Sequence, residues 1–119
     1  ASAYHLGLLA EAEEDIVGAI RSYGQSLEFK SDYEPTLNRF IDFMVENGLG
    51  IAPDIQRWAD REAFHRMCLT KLKARLEQNE KKEAEFIHTT VSLLGVTNKR
   101  FAGDLPEQCL ALRRQYGMD

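Results

Sequence analysis

Residues 2–36, SAYHLGLLAEAEEDIVGAIRSYGQSLEFKSDYEPT, constrain the fold more than any other stretch of the chain. Ala3, Leu6, Leu9 and Ala10 recur at steps of three and four, as do Ile16, Ala19, Ile20, Tyr23 and Leu27, so each segment is expected to form a helix with one apolar face to bury. Between them lies Glu13-Glu14-Asp15, too short and too polar for anything but a turn. Asp15 is placed to cap the second helix, where its charge meets the positive end of the helix dipole. Two helices joined so tightly must pack antiparallel. Gly7 falls mid-helix, where it costs about 1 kcal/mol relative to Ala. The expected compensation is close approach of a neighbouring backbone, with Gly7 facing the small Ala19.

The same residues resemble the tetratricopeptide repeat, a helix-turn-helix unit of 34 residues with small and large side chains at fixed places. Without a gap, Leu6-Gly7 falls on the family's Leu-Gly pair, Asp15 on its turn acid and Ala19-Ile20 on its Ala-Ile. Tyr23 matches its second-helix aromatic and Ser26-Leu27 its Ala-Leu. The departures are Ala3 for the usual Trp, Ala10 for the usual Tyr and Ser31 for the closing Pro. A step of one repeat places Phe40 on Leu6, Met44 on Ala10 and Gly48 on the turn glycine, which makes a second first-helix. Beyond Leu49 the pattern stops, because Pro53 lands where the second helix wants Ala.

The resemblance implies an all-α fold of antiparallel hairpins, a fragment of a right-handed α-solenoid. Residues 2–35 form the repeat-like hairpin, 36–49 the first helix of a second repeat, and 50–119 divergent helices that would cap the stack, as terminal units of such arrays do.

Composition agrees with one domain spanning residues 1–119. The chain has 119 residues, of which 44% are hydrophobic and 29% charged, enough to fill a core and far from the range of disordered chains. No run approaches the ~18 apolar residues needed to span a bilayer. The start ASAYHL lacks a charged n-region followed by an apolar h-region, so a cytoplasmic protein, or a matured or excised fragment, is expected. A chain that opens without Met and enters a helix almost at once also suits a piece of a longer repeat protein. Residues 1–60 hold 11 acids and 4 bases, net −7, whereas residues 61–119 hold 8 acids and 11 bases, net +3. Such asymmetry can steer a partner, or the two halves can satisfy each other within the chain.

After the hairpin, Ser31-Asp32-Tyr33-Glu34-Pro35 combines turn formers with a proline acceptable only in a first helical turn. Leu37, Phe40, Ile41, Met44 and Val45 mark the buried stripe of the helix that follows, and Asn47-Gly48-Leu49-Gly50 ends it. From Ala52-Pro53-Asp54 a third segment runs to about Asn79 with no obvious breaker. Its candidate core positions are Ile55, Trp58, Ala59, Ala63, Met67, Leu69, Leu72 and Leu76. It is one long helix or breaks near Thr70. Lys81 to Leu94 repeats Ala84, Ile87, Val91 and Leu94, with Gly95 as the expected stop. Residues 98–104 read as a polar loop, and Leu105-Pro106-Glu107 opens a last helix with Leu105, Cys109, Leu112 and Tyr116 on one side. The expected count is about six helices.

Chemistry-bearing motifs are absent. His5, His65 and His88 lie far apart and form no ligand pattern, and Cys68 and Cys109 lack any CxxC spacing and read as buried thiols. Glu11, Glu13, Glu14 and Asp15 have neither the alternation nor the central glycine of a calcium loop. No GxSxG, phosphate loop or Cys/His dyad appears. The expectation is therefore a protein without catalytic activity, metal or cofactor. Lys71, Lys73, Arg75, Lys81 and Lys82 make a basic face, but Glu77, Glu80, Glu83 and Glu85 interleave at helical spacing. This argues for a salt-bridged solvent face over a nucleic-acid site.

Function then rests on the resemblance. Proteins of this family bind extended or helical peptides on the concave side made by successive first helices. On that reading Tyr4, Leu8 and Glu11 from one helix, and Asn38, Asp42, Val45 and Glu46 from the next, line a peptide groove. Its mixed apolar and acidic character suits a basic or apolar segment better than an acidic tail. An adaptor or assembly role follows. The alternatives are an accessory domain of a larger enzyme or nucleic-acid-associated protein, and a self-associating scaffold whose open edge is covered by another copy.

Overall fold

The computed structural model describes residues 2–49 and 56–118, and the regular elements among them are all helices. They are α1 (Ala3–Ala12), α2 (Ile16–Phe29), α3 (Glu34–Glu46), α4 (Arg61–Glu77), α5 (Lys81–Thr97), the short α6 (Lys99–Ala102) and α7 (Leu105–Gln115). The expected stop at Gly50 and the expected start at Ala52-Pro53-Asp54, with Ile55, lie outside the described residues.

Polar side chains cap the starts of α1, α2, α4 and α6. Asp15 accepts from the Gly18 amide at 2.9 Å, as its position predicted, and Ser2, Asp60 and Asn98 do the same for α1, α4 and α6. The ends of α1, α3, α4 and α7 share one device, a left-handed residue whose successor folds its amide back to the last turn. Gly48 (φ 63°) and Gly117 (φ 70°) fill that place after α3 and α7, but Glu14 (φ 60°) and Asn79 (φ 59°) fill it after α1 and α4. The closing bonds run from Asp15 to Ala10, Leu49 to Met44, Glu80 to Arg75 and Met118 to Arg113, at 2.7–3.0 Å.

α1 and α2 form the expected antiparallel hairpin, but α1 is rotated from the expected face. Leu6 is 43% and Leu9 54% exposed, while Gly7 and Ala10 are buried. The reason is Tyr23. Its ring lies over Gly7, so that a Cβ there would fall 2.5 Å from Cδ1 and 2.8 Å from Cζ. Gly7 therefore faces this aromatic ring and not Ala19. Fully buried, Tyr23 also packs on Phe40 at 5.5 Å and Phe43 at 6.2 Å between ring centroids.

Nearly constant sequence separations between contacting residues fix the helix directions. Tyr4 meets Tyr33 and Glu11 meets Arg39; Asn38 meets Lys71 and Asp42 meets Arg75. Hence α1, α3 and α4 run parallel, side by side. In the C-terminal part, Gly95 meets Pro106 and His88 meets Arg113, so α5 and α7 are antiparallel. Phe64, Cys68 and Leu72 of α4, Ile87, Val91 and Leu94 of α5, and Leu105 and Cys109 of α7 belong to one buried cluster with Leu37, Ile41 and Met44 of α3.

Three boundaries differ from expectation. The third segment breaks at Ala59-Asp60 and not near Thr70: Asp60 caps α4 and donates its amide to Ser31 O at 2.7 Å, which ties the break to the first hairpin. Gly95 does not stop α5, which continues to Thr97; a Cβ on it would meet Pro106 Cγ at 2.8 Å, so the glycine admits α7. The expected loop at 98–104 contains α6, whose Ala102 is buried and whose Phe101 ring packs on Phe64 at 5.4 Å.

Candidate functional site

Two charge clusters sit where the parallel helices meet. In the first, Arg39 of α3 lies between two acids, with Nη2 2.5 Å from Glu11 Oε1 of α1 and 2.8 Å from Glu46 Oε2. The Tyr23 hydroxyl donates to the other Glu11 oxygen. Burial alone would raise the Glu11 pKa, but the hydrogen bonds from Arg39 and Tyr23 prevail and hold the carboxyl below its ordinary value. Burial and the Glu11 carboxylate push the Tyr23 phenol up. Tyr23 is thus both core ring and hydrogen-bond donor, a pairing common for buried tyrosines.

In the second cluster, Asp42 of α3 takes two cations from α4: Lys71 Nζ at 2.8 Å and Arg75 Nη2 at 2.7 Å. Lys71 also donates to Asn38 Oδ1 at 2.5 Å, and only 6% of the residue is exposed. Lys71 and Arg75 are therefore not part of a solvated basic face as their sequence neighbours suggested. A lysine is buried at such a place only when paired, and Asp42 supplies the pairing. Here the acidic N-terminal half and the basic C-terminal half satisfy each other.

The seven expected groove residues do not share one cleft. Tyr4 lies in an aromatic cleft with Ala3, Ser26, Phe29, Lys30 and Tyr33, of about 450 Å³. Glu11 borders a smaller acidic one of about 300 Å³ with Glu14, Asp15, Ile16, Phe43 and Asn47. Leu8 is half-buried on α1. Asn38 and Asp42 are held by α4. Val45, largely buried, and Glu46 come together in a cleft of about 520 Å³ completed by Gly48, Arg75, Glu80, Lys82, Glu83 and Phe86. Its apolar walls are Val45 and Phe86, and three carboxylates stand around them.

Sequence reasoning missed Arg39, the residue that joins Glu11 to Glu46, and Phe86, the cleft wall. Arg39 lies one helical turn below Phe43 on a helix otherwise read for its apolar stripe, so an isolated base there gave no pattern. Phe86 precedes the core position Ile87, and its half-exposed place on α5 follows only from the angle between α3 and α5.

The thiols are closed off. Burial raises the Cys68 pKa well up, with Cys109 nearby adding to it, and burial pushes Cys109 up to about 12. His65 packs edge-on against the Phe101 ring at 5.8 Å between centroids, and its Nε2 is buried without a hydrogen-bond partner. It borders a cleft of about 620 Å³ where Asp60, Arg61, Glu62, Arg66 and Asp104 interleave charges of both signs. Among the described residues no three His, Cys, Asp or Glu side chains gather as for a metal, and no helix is long and apolar enough to cross a membrane.

Comparison with protein-family models, curated proteins and solved structures finds no match for this chain. Fold and site define an all-α protein whose parallel helices α1, α3 and α4 are joined by charge.

Proposed function

We propose that this chain is a tetratricopeptide-like protein-interaction module, acting without catalysis in the cytoplasm, and that it binds a basic or apolar peptide segment in the cleft between α3 and α5. The observation that carries the reading is the cleft's make-up. Val45 and Phe86 offer apolar walls, and Glu46, Glu80 and Glu83 stand against two bases, of which Arg75 is already committed to Asp42. The volume is within the ~300–1,000 Å³ of small-ligand pockets and suits one or two side chains of a peptide. Parallel α1, α3 and α4, each pair in register, support the repeat-like reading, as does the tight α1–α2 hairpin.

The binding test uses Glu83, because Asp42 is a structural residue and its replacement would confound folding with binding. Calorimetric titration with an amphipathic Lys/Leu peptide is expected to give saturable binding. Glu83→Lys should weaken it about tenfold by reversing charge at the rim, while an Asp/Leu peptide of the same length should not bind. Equal affinity of wild type and Glu83→Lys, or preference for the acidic peptide, would contradict the assignment.

A further inference from the structure

Two exposed apolar pairs stand on regions of opposite charge. On α1, Leu6 (43% exposed) and Leu9 (54%) are followed by the exposed Glu13 at the end of the helix. On α5, Leu93 (58%) and Val96 (77%) are followed by the exposed Arg100 in α6. The sequence spacing is three residues and then four in both, although the chain turns at Asn98 (φ −147°) between Val96 and Arg100. Glu14 adds to the acid beside the first pair, and Lys99 to the base beside the second.

We infer that these two surfaces are complementary and that a second copy of this chain covers them, the α1 face of one molecule seated on the α5 face of the next. Leu6 and Leu9 would then meet Leu93 and Val96, and Glu13 would meet Arg100. Pairing of either face with itself would bring two acidic or two basic surfaces together and forgo the attraction between Glu13 and Arg100, so contact between unlike faces is favoured. The contact is thus head-to-tail, and the pair keeps one free face of each type, so association continues beyond a dimer unless the rotation closes a ring. The inference uses neither the α3–α5 cleft nor the peptide assigned to it.

Sedimentation velocity over a dilution series tests it with three proteins. Wild type should gain average mass with concentration, and lose that gain at high salt as the charge contribution is screened. Leu6→Gln/Leu9→Gln and Leu93→Gln/Val96→Gln each remove one face with a helix-forming residue at exposed positions, so both should stay helical and monomeric. Mixed together, the two variants should form a one-to-one dimer and nothing larger, because only one intact face of each kind remains. A wild type that is monomeric at every concentration, or variants that self-associate as wild type does, or a mixture that stays monomeric would each overturn the inference.

Discussion

Lys71 of α4 reaches across to Asp42 of α3, 2.8 Å away, with its side chain 7% exposed. The ammonium is held by Asp42 and Asn38 together, and Arg75 shares the same carboxylate. One acid on α3 thereby locks α3 to α4.

This predicts an asymmetry between the partners. Asp42→Ala leaves a buried ammonium without a counter-charge and should destabilise by about 3 kcal/mol. Lys71→Met keeps the volume and leaves Asp42 with Arg75, so its cost should stay within about 1 kcal/mol. Denaturant unfolding of both variants separates a charge lock from a surface pair, for which both changes would be small.

Gly7 carries the second prediction. Gly7→Ala gains helix propensity of about 1 kcal/mol but places a methyl group inside the Tyr23 ring's space. The net effect should be a loss of roughly 1–3 kcal/mol from overpacking. In a double-mutant cycle with Tyr23→Leu, much of the loss should vanish. Additive effects in that cycle would mean that the two positions do not meet.

The turn of the first hairpin contains an avoidable strain. Glu14 holds φ 60°, a conformation that costs a non-glycine residue about 1 kcal/mol. Glu14→Gly should therefore raise stability by about that amount, and Gly48→Ala, at φ 63°, should lower it by a similar amount. Thermal melting of the pair is the check, and a stability loss in Glu14→Gly would count against the assigned turn.

Acid should weaken the fold in two stages. His88 is held below the ordinary imidazole value by burial and then by Arg113, whose Nη1 lies 3.0 Å from its Nδ1; His65 is lowered by burial first and Arg61 second. As pH falls below about 6.5 the unfolded chain takes up protons that the folded one refuses, so stability declines through that window down to the lowered values. Glu11 acts later. Its lowered pKa contributes stability that is present above the ordinary carboxylate value and lost as pH falls through the lowered one. Melting curves from neutral pH downward should fall first near the imidazole range, and His88→Gln should flatten that first decline.

The helices were legible because local signals set them. Apolar steps of three and four, Asp15 as a cap, Gly48 as a stop and Pro35 and Pro106 in first turns all operate within one turn of chain. What was hidden depends on contact between distant segments. Leu6 looks buried by period, yet the Tyr23 ring turns the helix so that Gly7 and not Leu6 faces inward. Gly95 looks like a stop, yet its lack of a side chain serves Pro106, eleven residues on. Lys71 looks like one more surface lysine until α4 is laid beside α3. Of the expected groove residues, Tyr4, Glu11 and the pair Val45 and Glu46 fall at three separate clefts, and the wall opposite Val45 and Glu46, Phe86, comes from a helix whose angle no periodicity states.

The most direct measurement of the central proposal is a two-dimensional amide NMR titration of the chain with the amphipathic Lys/Leu peptide. The account predicts saturable shifts centred on Val45, Glu46, Gly48, Glu83 and Phe86, with Cys68 and Cys109 in the distant core unmoved. Shifts confined to another surface, or none at saturating peptide, would contradict it.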